Sequence, residues 1–318
     1  MSKKNEIIVI GDYTVTQLEK LSEEFQTVFV NKTDDLRSLS AASRKNIEGV
    51  AFKGHRPLEF DAASFDLLPE LRIISNFGVG YDGIDIQEAI RRGIKITNTP
   101  DVLNDDVADV AIGMLIALSR NFLNGVNWIK SGEWGKSGEM PLNRTISGKK
   151  AGIMGLGRIG HAIADRLSGF KMKIHYYSRS EKDSAKDWKF HDNPVSLATE
   201  VDFLFIALVG GPDTLEFVGK EVIEALGADG ILINISRGST VDEKALLDAL
   251  EKKHIRGAAL DVFAGEPNIS PRFLDLENVF MQPHQGSGTI ETREAMAKLQ
   301  RDNLSRFFAN ESLLTPVN

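Results

Sequence analysis

The chain contains no cysteine. This absence excludes disulfides, thiolate nucleophiles and metal sites built from cysteine, and it is compatible with a reducing compartment. The sequence also lacks any apolar run of the roughly eighteen residues that a membrane span requires. The first twelve residues, MSKKNEIIVIGD, have no signal-peptide core. We therefore expect a cytoplasmic protein that does not bind a membrane.

The chain also has no excess of positively charged residues. The formal net charge is −7, which disfavours nucleic acid or an anionic membrane as the main partner, because both require clustered Lys and Arg. An anionic ligand would therefore need a local basic pocket. The composition, with 42% hydrophobic and 26% charged residues, is that of an ordinary globular protein. A length of 318 residues favours about two domains.

Short runs rich in Ile, Val and Phe alternate with helical patterns, which predicts repeated βα units and parallel sheets. Two series can be separated. The first predicts strands at Ile7–Ile10, Thr27–Val30, Gly49–Phe52, Leu71–Ser75 and Lys95–Thr97. The second predicts six strands, at Ala151–Met154, Lys173–Tyr177, Asp202–Leu208, Ile231–Ile235, Gly257–Leu260 and Val279–Met281. Six strands with intervening helices match a complete dinucleotide-binding domain.

Two further helices are predicted outside these series. The stretch Asp101–Ser119 has helical spacing after an acidic start, and we expect this helix to cross between the domains. The tail Thr289–Phe308 is also predicted to be helical and to return to the first domain. The prediction is an α/β protein with two doubly wound parallel-sheet domains, in which a Rossmann domain (100–287) interrupts a flavodoxin-like domain (1–99 and 288–318).

A glycine-rich segment, GLGRIG, follows the predicted strand AGIM and opens a helical pattern. In a dinucleotide-binding loop the first glycine permits a tight turn, the second lets the backbone approach a pyrophosphate, and the third packs helix on strand. The simpler alternative is a glycine-rich turn. We predict cofactor contacts from Gly155, Gly157, Arg158, Ile159 and Gly160.

The end of the next predicted strand, in HYYSRS, lacks the acidic residue that usually accepts hydrogen bonds from the ribose of NAD. Ser178, Arg179 and Ser180 stand there instead. A guanidinium forms paired, charge-assisted bonds with a 2′-phosphate, and the hydroxyls add donors. The predicted cofactor is therefore NADP(H), with NAD(H) as the weaker alternative. A solvated basic turn that includes Lys182 is the competing interpretation.

Polar residues follow several strands of the second series, at the sheet edge where α/β proteins bind ligands. Arg237, Glu266 and His284 would suit a 2-keto acid that receives hydride. His284 would donate a proton to the carbonyl oxygen, Glu266 would orient the imidazole and favour its protonated form, and Arg237 would bind the substrate carboxylate and polarise the carbonyl. Further candidates for cofactor contacts are Leu208, Ile235, Ser236, Asp261 and Gly286.

A second glycine cluster, FGVGYD, ends a strand of the first series. Successive backbone N–H groups in such a loop form an anion-binding nest. We predict that the amides of Val79 and Gly80 bind the substrate carboxylate together with Arg237, although an ordinary turn is the alternative. Lys53 would add positive charge nearby, or would be a solvated lysine.

With these motifs the chain resembles the D-isomer-specific 2-hydroxyacid dehydrogenases over nearly its whole length. FGVGYDGIDI resembles the family's substrate loop, TNTPDVLNDDVADVAIGMLIALSRN its interdomain and dimer-forming helix, and GLGRIG its cofactor loop. NISRG, LDVFAGEP and PHQGSGT are similar to the segments that carry the catalytic Arg, Glu and His. The resemblance implies a homodimer built through the nucleotide domains. ALVGGPDT departs from the family pattern and bears on the cofactor contacts at Leu208.

Within the family, PHQGSGTIETREAM and SRS look most like NADPH-preferring glyoxylate, hydroxypyruvate and hydroxyphenylpyruvate reductases. The expected function is NADPH-dependent reduction of a small 2-keto acid, namely glyoxylate, hydroxypyruvate or an aryl pyruvate, to the D-2-hydroxy acid. A nucleotide-sensing co-regulator that binds other proteins is the alternative from a different class. Oxidation of formate or a related anion is disfavoured. Glu266 would favour the protonated form of His284, and keto-acid reduction requires such a proton donor.

Overall fold

The computed structural model describes residues 4–54 and 59–318. It divides into two compact units, Met1–Leu103 with Thr289–Asn318, and Asn104–Gly288. The domain boundaries predicted from the sequence, at residues 100 and 288, stay a prediction. Among the described residues, no helix has the length and apolar character needed to cross a membrane. The cytoplasmic location also stays a prediction.

The first unit is built on a five-stranded parallel sheet in the order β2-β1-β3-β4-β5. This is the flavodoxin-like order of a doubly wound sheet, so the predicted fold class is confirmed. The middle strands β3 and β4 are buried along their whole length, as strands covered on both faces must be. The strands are β1 Glu6–Ile10, β2 Gln26–Val30, β3 Gly49–Phe52, β4 Ile73–Asn76 and β5 Lys95–Thr97.

The long last helix of the chain packs on the first sheet, against β3 and β4. Its Gln300 is fully buried, and the side-chain nitrogen donates to the backbone oxygen of Ser75 at 2.7 Å. A buried amide requires such partners, so this contact fixes where the helix lies on the sheet. The helices of this unit are α1 Val15–Glu24, α2 Ala41–Lys45, α3 Ala62–Asp66, α4 Ile86–Arg91 and α12 Ile290–Phe308.

The second unit contains a seven-stranded parallel sheet in the order β12-β11-β10-β9-β6-β7-β8. Counted within the unit, the strands lie 3-2-1-4-5-6-7, which is the Rossmann order extended by one strand. The prediction of six strands was wrong, because the edge strand Lys189–His191 has only three residues and no alternating apolar pattern. The strands are β6 Lys150–Met154, β7 Lys173–Tyr177, β8 Lys189–His191, β9 Phe203–Ile206, β10 Ile231–Asn234, β11 Gly257–Leu260 and β12 Val279–Met281.

The helix predicted from Asp101 begins at Asn104. Asp101 has a left-handed backbone conformation, with φ of 70°, which delays the helix. The helix packs against α8 and against strands β10 to β12, all within the second unit, and a crossing between domains stays a prediction. The helices of this unit are α5 Asn104–Ser119, α6 Phe122–Lys130, α7 Glu133–Ser137, α8 Arg158–Gly169, α9 Pro194–Glu200, α10 Lys220–Ala225 and α11 Glu243–Glu251.

Candidate active site

A histidine and a glutamate form a hydrogen-bonded pair beyond the carboxyl ends of β11 and β12. Nδ1 of His284 lies 2.7 Å from Oε2 of Glu266. The glutamate side chain is 25% exposed and the histidine side chain 46% exposed. The pair therefore has a carboxylate on the protein side and an imidazole edge that solvent or a ligand can reach.

The histidine sits in a turn that a buried carboxylate holds. Asp261, which is 1% exposed, follows β11. Its Oδ1 accepts a hydrogen bond from the backbone N–H of Gln285 at 2.7 Å, and its Oδ2 accepts one from Gly286 at 2.8 Å. The backbone N–H of His284 donates to the backbone oxygen of Asp261 at 2.9 Å. These three bonds support a left-handed φ of 55° at His284, a conformation that a non-glycine residue seldom adopts.

Burial and backbone hydrogen bonds act in opposite directions on the pKa of the Asp261 carboxyl. Burial raises the pKa of its carboxyl, and the N–H bonds of Gln285 and Gly286 oppose that rise. Both of its oxygens accept bonds from the turn, which gives Asp261 a supporting position that the sequence did not indicate. Its predicted cofactor contact, like that of Gly286, stays a prediction.

The electrostatics of Glu266 favour a charged carboxylate. Burial opposes its charge, but the hydrogen bond and positive charge of His284, the backbone N–H of Phe263 and the charge of Arg237 outweigh burial and lower the pKa of Glu266. The Phe263 N–H donates to Oε1 at 2.8 Å. With Oε1 bound to the backbone, Oε2 is directed to the imidazole. A carboxylate hydrogen-bonded to a ring nitrogen in this way orients the imidazole.

Arg237 follows β10 in a loop that packs closely on the Phe263 segment. Its guanidinium donates to the backbone oxygen of Ser236 at 2.9 Å. The next residue is Gly238, where a Cβ would lie 1.9 Å from the carbonyl carbon of Phe263. Only a glycine allows this approach, so Gly238 sets how near the Arg237 loop lies to the Glu266 loop. The sequence analysis did not single out this glycine.

Two predicted cofactor residues near Arg237, namely Ser236 and Ile235, are buried in the protein. Ser236 is buried, and its hydroxyl bonds to Oδ1 of Asn234 at 3.0 Å and to the hydroxyl of Thr240 at 2.9 Å. Ile235 is 8% exposed. Leu208 is half-buried after β9, and its backbone nitrogen would lie 3.1 Å from a Cβ on Gly155. Contacts of these three residues with a cofactor stay predictions.

The glycine loop has the strand before it and the helix after it that the sequence predicted. At Gly155 the backbone has φ of 98°, and a Cβ would lie 2.7 Å from the backbone oxygen of Ala207. At Gly160 a Cβ would lie 2.4 Å from the backbone oxygen of Gly155, so this glycine packs α8 on the turn. Among the described residues, nothing lies within 4 Å of a Cβ placed on Gly157. The space beside that glycine is therefore accessible.

The turn after β7 brings its polar residues to the surface. The hydroxyl of Ser178 donates to the backbone oxygen of Ser180 at 2.5 Å, and the backbone N–H of Lys182 donates to the hydroxyl of Tyr176 at 2.9 Å. Arg179 and Ser180 are exposed. These bonds fold the turn back on its strand, and Arg179 remains exposed to solvent.

In the first unit, the backbone oxygens of the FGVG loop are held by side chains that the sequence analysis did not identify. Nδ2 of Asn76 donates to the oxygens of Gly78 and Gly80, and Nδ2 of Asn98 donates to the oxygen of Val79 at 2.9 Å. Across a trans peptide the N–H points opposite to the C=O. The N–H groups of Val79 and Gly80 therefore point away from these asparagines.

Positive charge lies near the same loop. The Lys53 ammonium is 5.4 Å from the centre of the Phe77 ring, and the Arg293 guanidinium is 5.8 Å from it. Burial, followed by the charge of Arg293, lowers the pKa of Lys53. Lys53 also donates to the backbone oxygen of Asp12. It is thus a partly buried, anchored residue rather than a freely solvated one.

Comparisons with known proteins identify the family of this chain. Residues 112–286 match the model of the D-isomer specific 2-hydroxyacid dehydrogenase, NAD binding domain. A glyoxylate/hydroxypyruvate reductase A from Arabidopsis thaliana is 43% identical, covering 97% of this chain and 96% of its own. The chain belongs to the D-isomer specific 2-hydroxyacid dehydrogenase family.

Two further members of the family match this chain along nearly its whole length. A 2-ketogluconate reductase from Gluconobacter oxydans is 40% identical and covers 100% of both chains. An NADPH-dependent glyoxylate/hydroxypyruvate reductase from Sinorhizobium meliloti, solved with NADP and malonate, is 41% identical with a TM-score of 0.93, over 99% of this chain and 97% of that one. The protein is an NAD(P)-dependent 2-hydroxyacid dehydrogenase, which reduces a 2-keto acid to a 2-hydroxy acid.

The glycine loop of this dehydrogenase suits a dinucleotide. Helix α8 begins after Gly157 with no side chain capping its first N–H groups, and unpaired N–H groups at a helix N-terminus favour an anion. The open side of Gly157 would admit a pyrophosphate, while Gly155 and Gly160 are required by the protein itself. Two of the three glycines are thus required by the fold, and the predicted pyrophosphate contact of Gly157 stays a prediction.

This difference among the glycines can be tested with alanine. We expect Gly157→Ala to leave the thermal midpoint nearly unchanged, because the position is open and its φ is −91°, but to weaken NADPH binding about tenfold or more, ~1.4 kcal/mol. Gly160→Ala should lower the thermal midpoint. Differential scanning fluorimetry and fluorescence titration with NADPH measure both effects. Normal NADPH affinity in Gly157→Ala would contradict this loop geometry.

Proposed function

We propose that this dehydrogenase uses NADPH to reduce a small 2-keto acid, with glyoxylate and hydroxypyruvate as the preferred substrates, to the D-2-hydroxy acid. The observation that carries the proposal is the 2.7 Å bond between His284 and Glu266, next to an arginine whose charge acts on the same glutamate. The family and the functions named for similar members support reduction of a 2-keto acid.

The cofactor side of the proposed site is formed by the glycine loop and the turn after β7. Gly157 and the first N–H groups of α8 would bind the pyrophosphate, and Ser178, Arg179 and Ser180 would bind the 2′-phosphate. When bound, the reduced nicotinamide supplies the hydride for the carbonyl carbon of the substrate.

His284 is the proposed proton donor. Its Nδ1–H would donate to Glu266, which leaves Nε2 as the atom that holds the transferable proton. Glu266 stays anionic because its pKa is lowered, so it stabilises the imidazolium before transfer. A general acid placed in this way accelerates reduction because the carbonyl oxygen gains negative charge.

Arg237 is proposed to bind the substrate carboxylate and to polarise the carbonyl. A guanidinium offers two parallel N–H donors, which match the two oxygens of a carboxylate. In the first unit, the amides of Val79 and Gly80 are proposed as additional donors to the substrate carboxylate, since their N–H groups point away from Asn76 and Asn98. Lys53 would add positive charge for the same anion.

A substrate panel tests the function directly. NADPH oxidation would be followed with glyoxylate, hydroxypyruvate, 2-ketogluconate and 4-hydroxyphenylpyruvate, and each would be repeated with NADH. We expect the highest kcat/KM for glyoxylate or hydroxypyruvate with NADPH, and a D-configured product from hydroxypyruvate. Nucleotide binding without turnover of any keto acid would instead favour the co-regulator, and a preference for the larger acids would reject the substrate assignment.

Removal of the proton donor is expected to reduce the rate strongly. His284→Ala should lower kcat by roughly 10²–10⁴-fold, the usual contribution of a general acid. His254→Ala, which changes an exposed histidine after α11, should leave kcat unchanged. Steady-state assays measure both variants, and near-normal turnover by His284→Ala would assign the proton to another group.

The pH profile tests the role of the carboxylate. The reduction rate should decline as pH rises, because the proposed proton donor is then lost. The pKa of Glu266 is lowered, so its charge persists on the acid side of that decline and stabilises the protonated imidazole. We expect Glu266→Gln to move the decline of kcat/KM to lower pH. An identical profile in this variant would show that the carboxylate does not poise the histidine.

Cofactor preference tests the turn after β7. The double variant Ser178→Asp, Arg179→Ala should shift preference from NADPH toward NADH, because the 2′-phosphate loses a cation and meets a carboxylate. Lys186→Ala, an exposed cation of the same segment, is the matched control and should change neither KM. An unchanged ratio of kcat/KM for NADPH over NADH in the double variant would refute the assignment.

We also propose that the protein is a homodimer that pairs through α6. Phe122, Val126 and Ile129 follow helical spacing along one side of this helix and are 54%, 49% and 63% exposed. A contiguous apolar stripe of this kind is unusual on a monomer. A second copy of the chain is its proposed partner, as the resemblance to the family implies.

The oligomeric state tests this surface. Ile129→Asp should convert a dimer to a monomer in analytical ultracentrifugation, because the charge would be buried at the interface. Ile90→Asp, on an exposed isoleucine of α4, is the control and should remain dimeric. A monomeric wild-type protein, or a dimeric Ile129→Asp, would reject α6 as the interface.

A further inference from the structure

Two buried histidines and a glutamate meet between β7, β8 and α9, at the edge of the sheet opposite to β12, which His284 follows. Nδ1 of His175 lies 3.0 Å from Nε2 of His191, and the rings are stacked at a centroid distance of 5.3 Å. Oε2 of Glu200 is 3.9 Å from Nδ1 of His175. All three atoms lie within 4.8 Å of one another, a grouping that is unique among residues 4–54 and 59–318.

Ser196 is a hydrogen-bond partner for the second ring nitrogen of His191. Nδ1 of His191 lies 3.0 Å from Oγ of Ser196. In the tautomer in which this nitrogen donates to the hydroxyl, Nε2 accepts the proton of Nδ1 of His175 across the 3.0 Å contact, and a metal ion bound between the two nitrogens would displace that proton. Histidines that ligate metals usually donate their other ring N–H to such a partner, which fixes the ring and raises its basicity.

The spacing of the two nitrogens is close to that in a tetrahedral zinc site, and Oε2 of Glu200, now 3.9 Å from Nδ1 of His175, would move closer on binding. Two nitrogens bound to zinc at about 2.0–2.1 Å are separated by roughly 3.3 Å, and the observed 3.0 Å needs a widening of a few tenths of an ångström. The ammonium of Lys189 competes for the third ligand, because it lies 2.7 and 2.6 Å from the two oxygens of Glu200. The lysine side chain is 53% exposed and has room to turn toward solvent.

We propose that His175, His191 and Glu200 form a binding site for a divalent transition metal ion, best matched by zinc, with a fourth position for water. The ion would connect the three-residue edge strand β8 and the end of α9 to β7. It would lie at the β8 edge of the sheet, opposite to the β12 edge near which His284 stands. Its expected effect is on stability, because an ion that binds the folded chain and joins three elements favours the folded state.

Zinc titration of the chelator-treated full chain tests the site. Isothermal titration calorimetry with zinc alone should show one ion per chain, and zinc should raise the thermal midpoint. His191→Ala and Glu200→Gln should weaken zinc binding at least tenfold, whereas His254→Ala, at an exposed histidine, should bind as the wild type does. Lys189→Ala should bind zinc more tightly, because the competing cation is gone.

Each result decides for or against the site. Absence of stoichiometric zinc binding to the wild type, or equal affinity in wild type and Glu200→Gln, would overturn it and leave a hydrogen-bonded histidine pair of the core. If His191→Ala does not fold, Glu200→Gln and Lys189→Ala carry the comparison, since both positions are partly exposed. Visible absorption of bound Co²⁺ should show the intense bands of a four-coordinate ion in the wild type and lose them in Glu200→Gln.

Discussion

The hydrogen bonds from Asp261 to the turn after β12 are the constraint on which the rest of the site depends. A carboxylate with almost no exposure accepts two backbone N–H groups, and its own backbone oxygen accepts the N–H of His284. Without these bonds, little would hold a non-glycine residue in the left-handed conformation. This turn sets the direction of the His284 imidazole, and the hydrogen bond to Glu266 fixes the orientation of the ring.

Parallel strand order explains how distant residues converge on this turn. Strands β10, β11 and β12 are neighbours in register, with Asn234 opposite Leu260 and Leu260 opposite Met281. Residues that follow these strands therefore emerge at one edge of the sheet, where open α/β proteins bind ligands. Arg237 and His284 each follow such a strand within a few residues. These side chains can therefore lie close together although they are far apart in the sequence.

Much of the fold was predictable because long apolar strands between turn residues leave a clear pattern. The five strands of the first unit and six of the second were found in this way, and the pairing of Glu266 with His284 followed from the strand-end rule. Strand β8 was missed, because three residues with one apolar side chain leave no periodic signal. His175 was therefore visible only as a strand residue, since its partner His191 lies in the missed strand.

Other supports of the site could not be predicted because they depend on contacts between distant segments. Gly238 resembles any turn glycine until the chain of Phe263 is placed against it. Asn76 and Asn98 likewise give no local sign that their side chains hold the oxygens of the FGVG loop. These residues determine where the predicted groups point, and only a packed structure shows them.

In the proposed site, the turn presents His284 with Nδ1–H bound to Glu266 and Nε2 directed to the substrate. Long-range ¹H–¹⁵N NMR of protein labelled in its histidines, with His284→Gln used for assignment, measures this tautomer directly. We predict that neutral His284 carries its proton on Nδ1, and that this preference is lost in Glu266→Gln. A neutral His284 protonated on Nε2, or a tautomer unaffected by Glu266→Gln, would contradict the account.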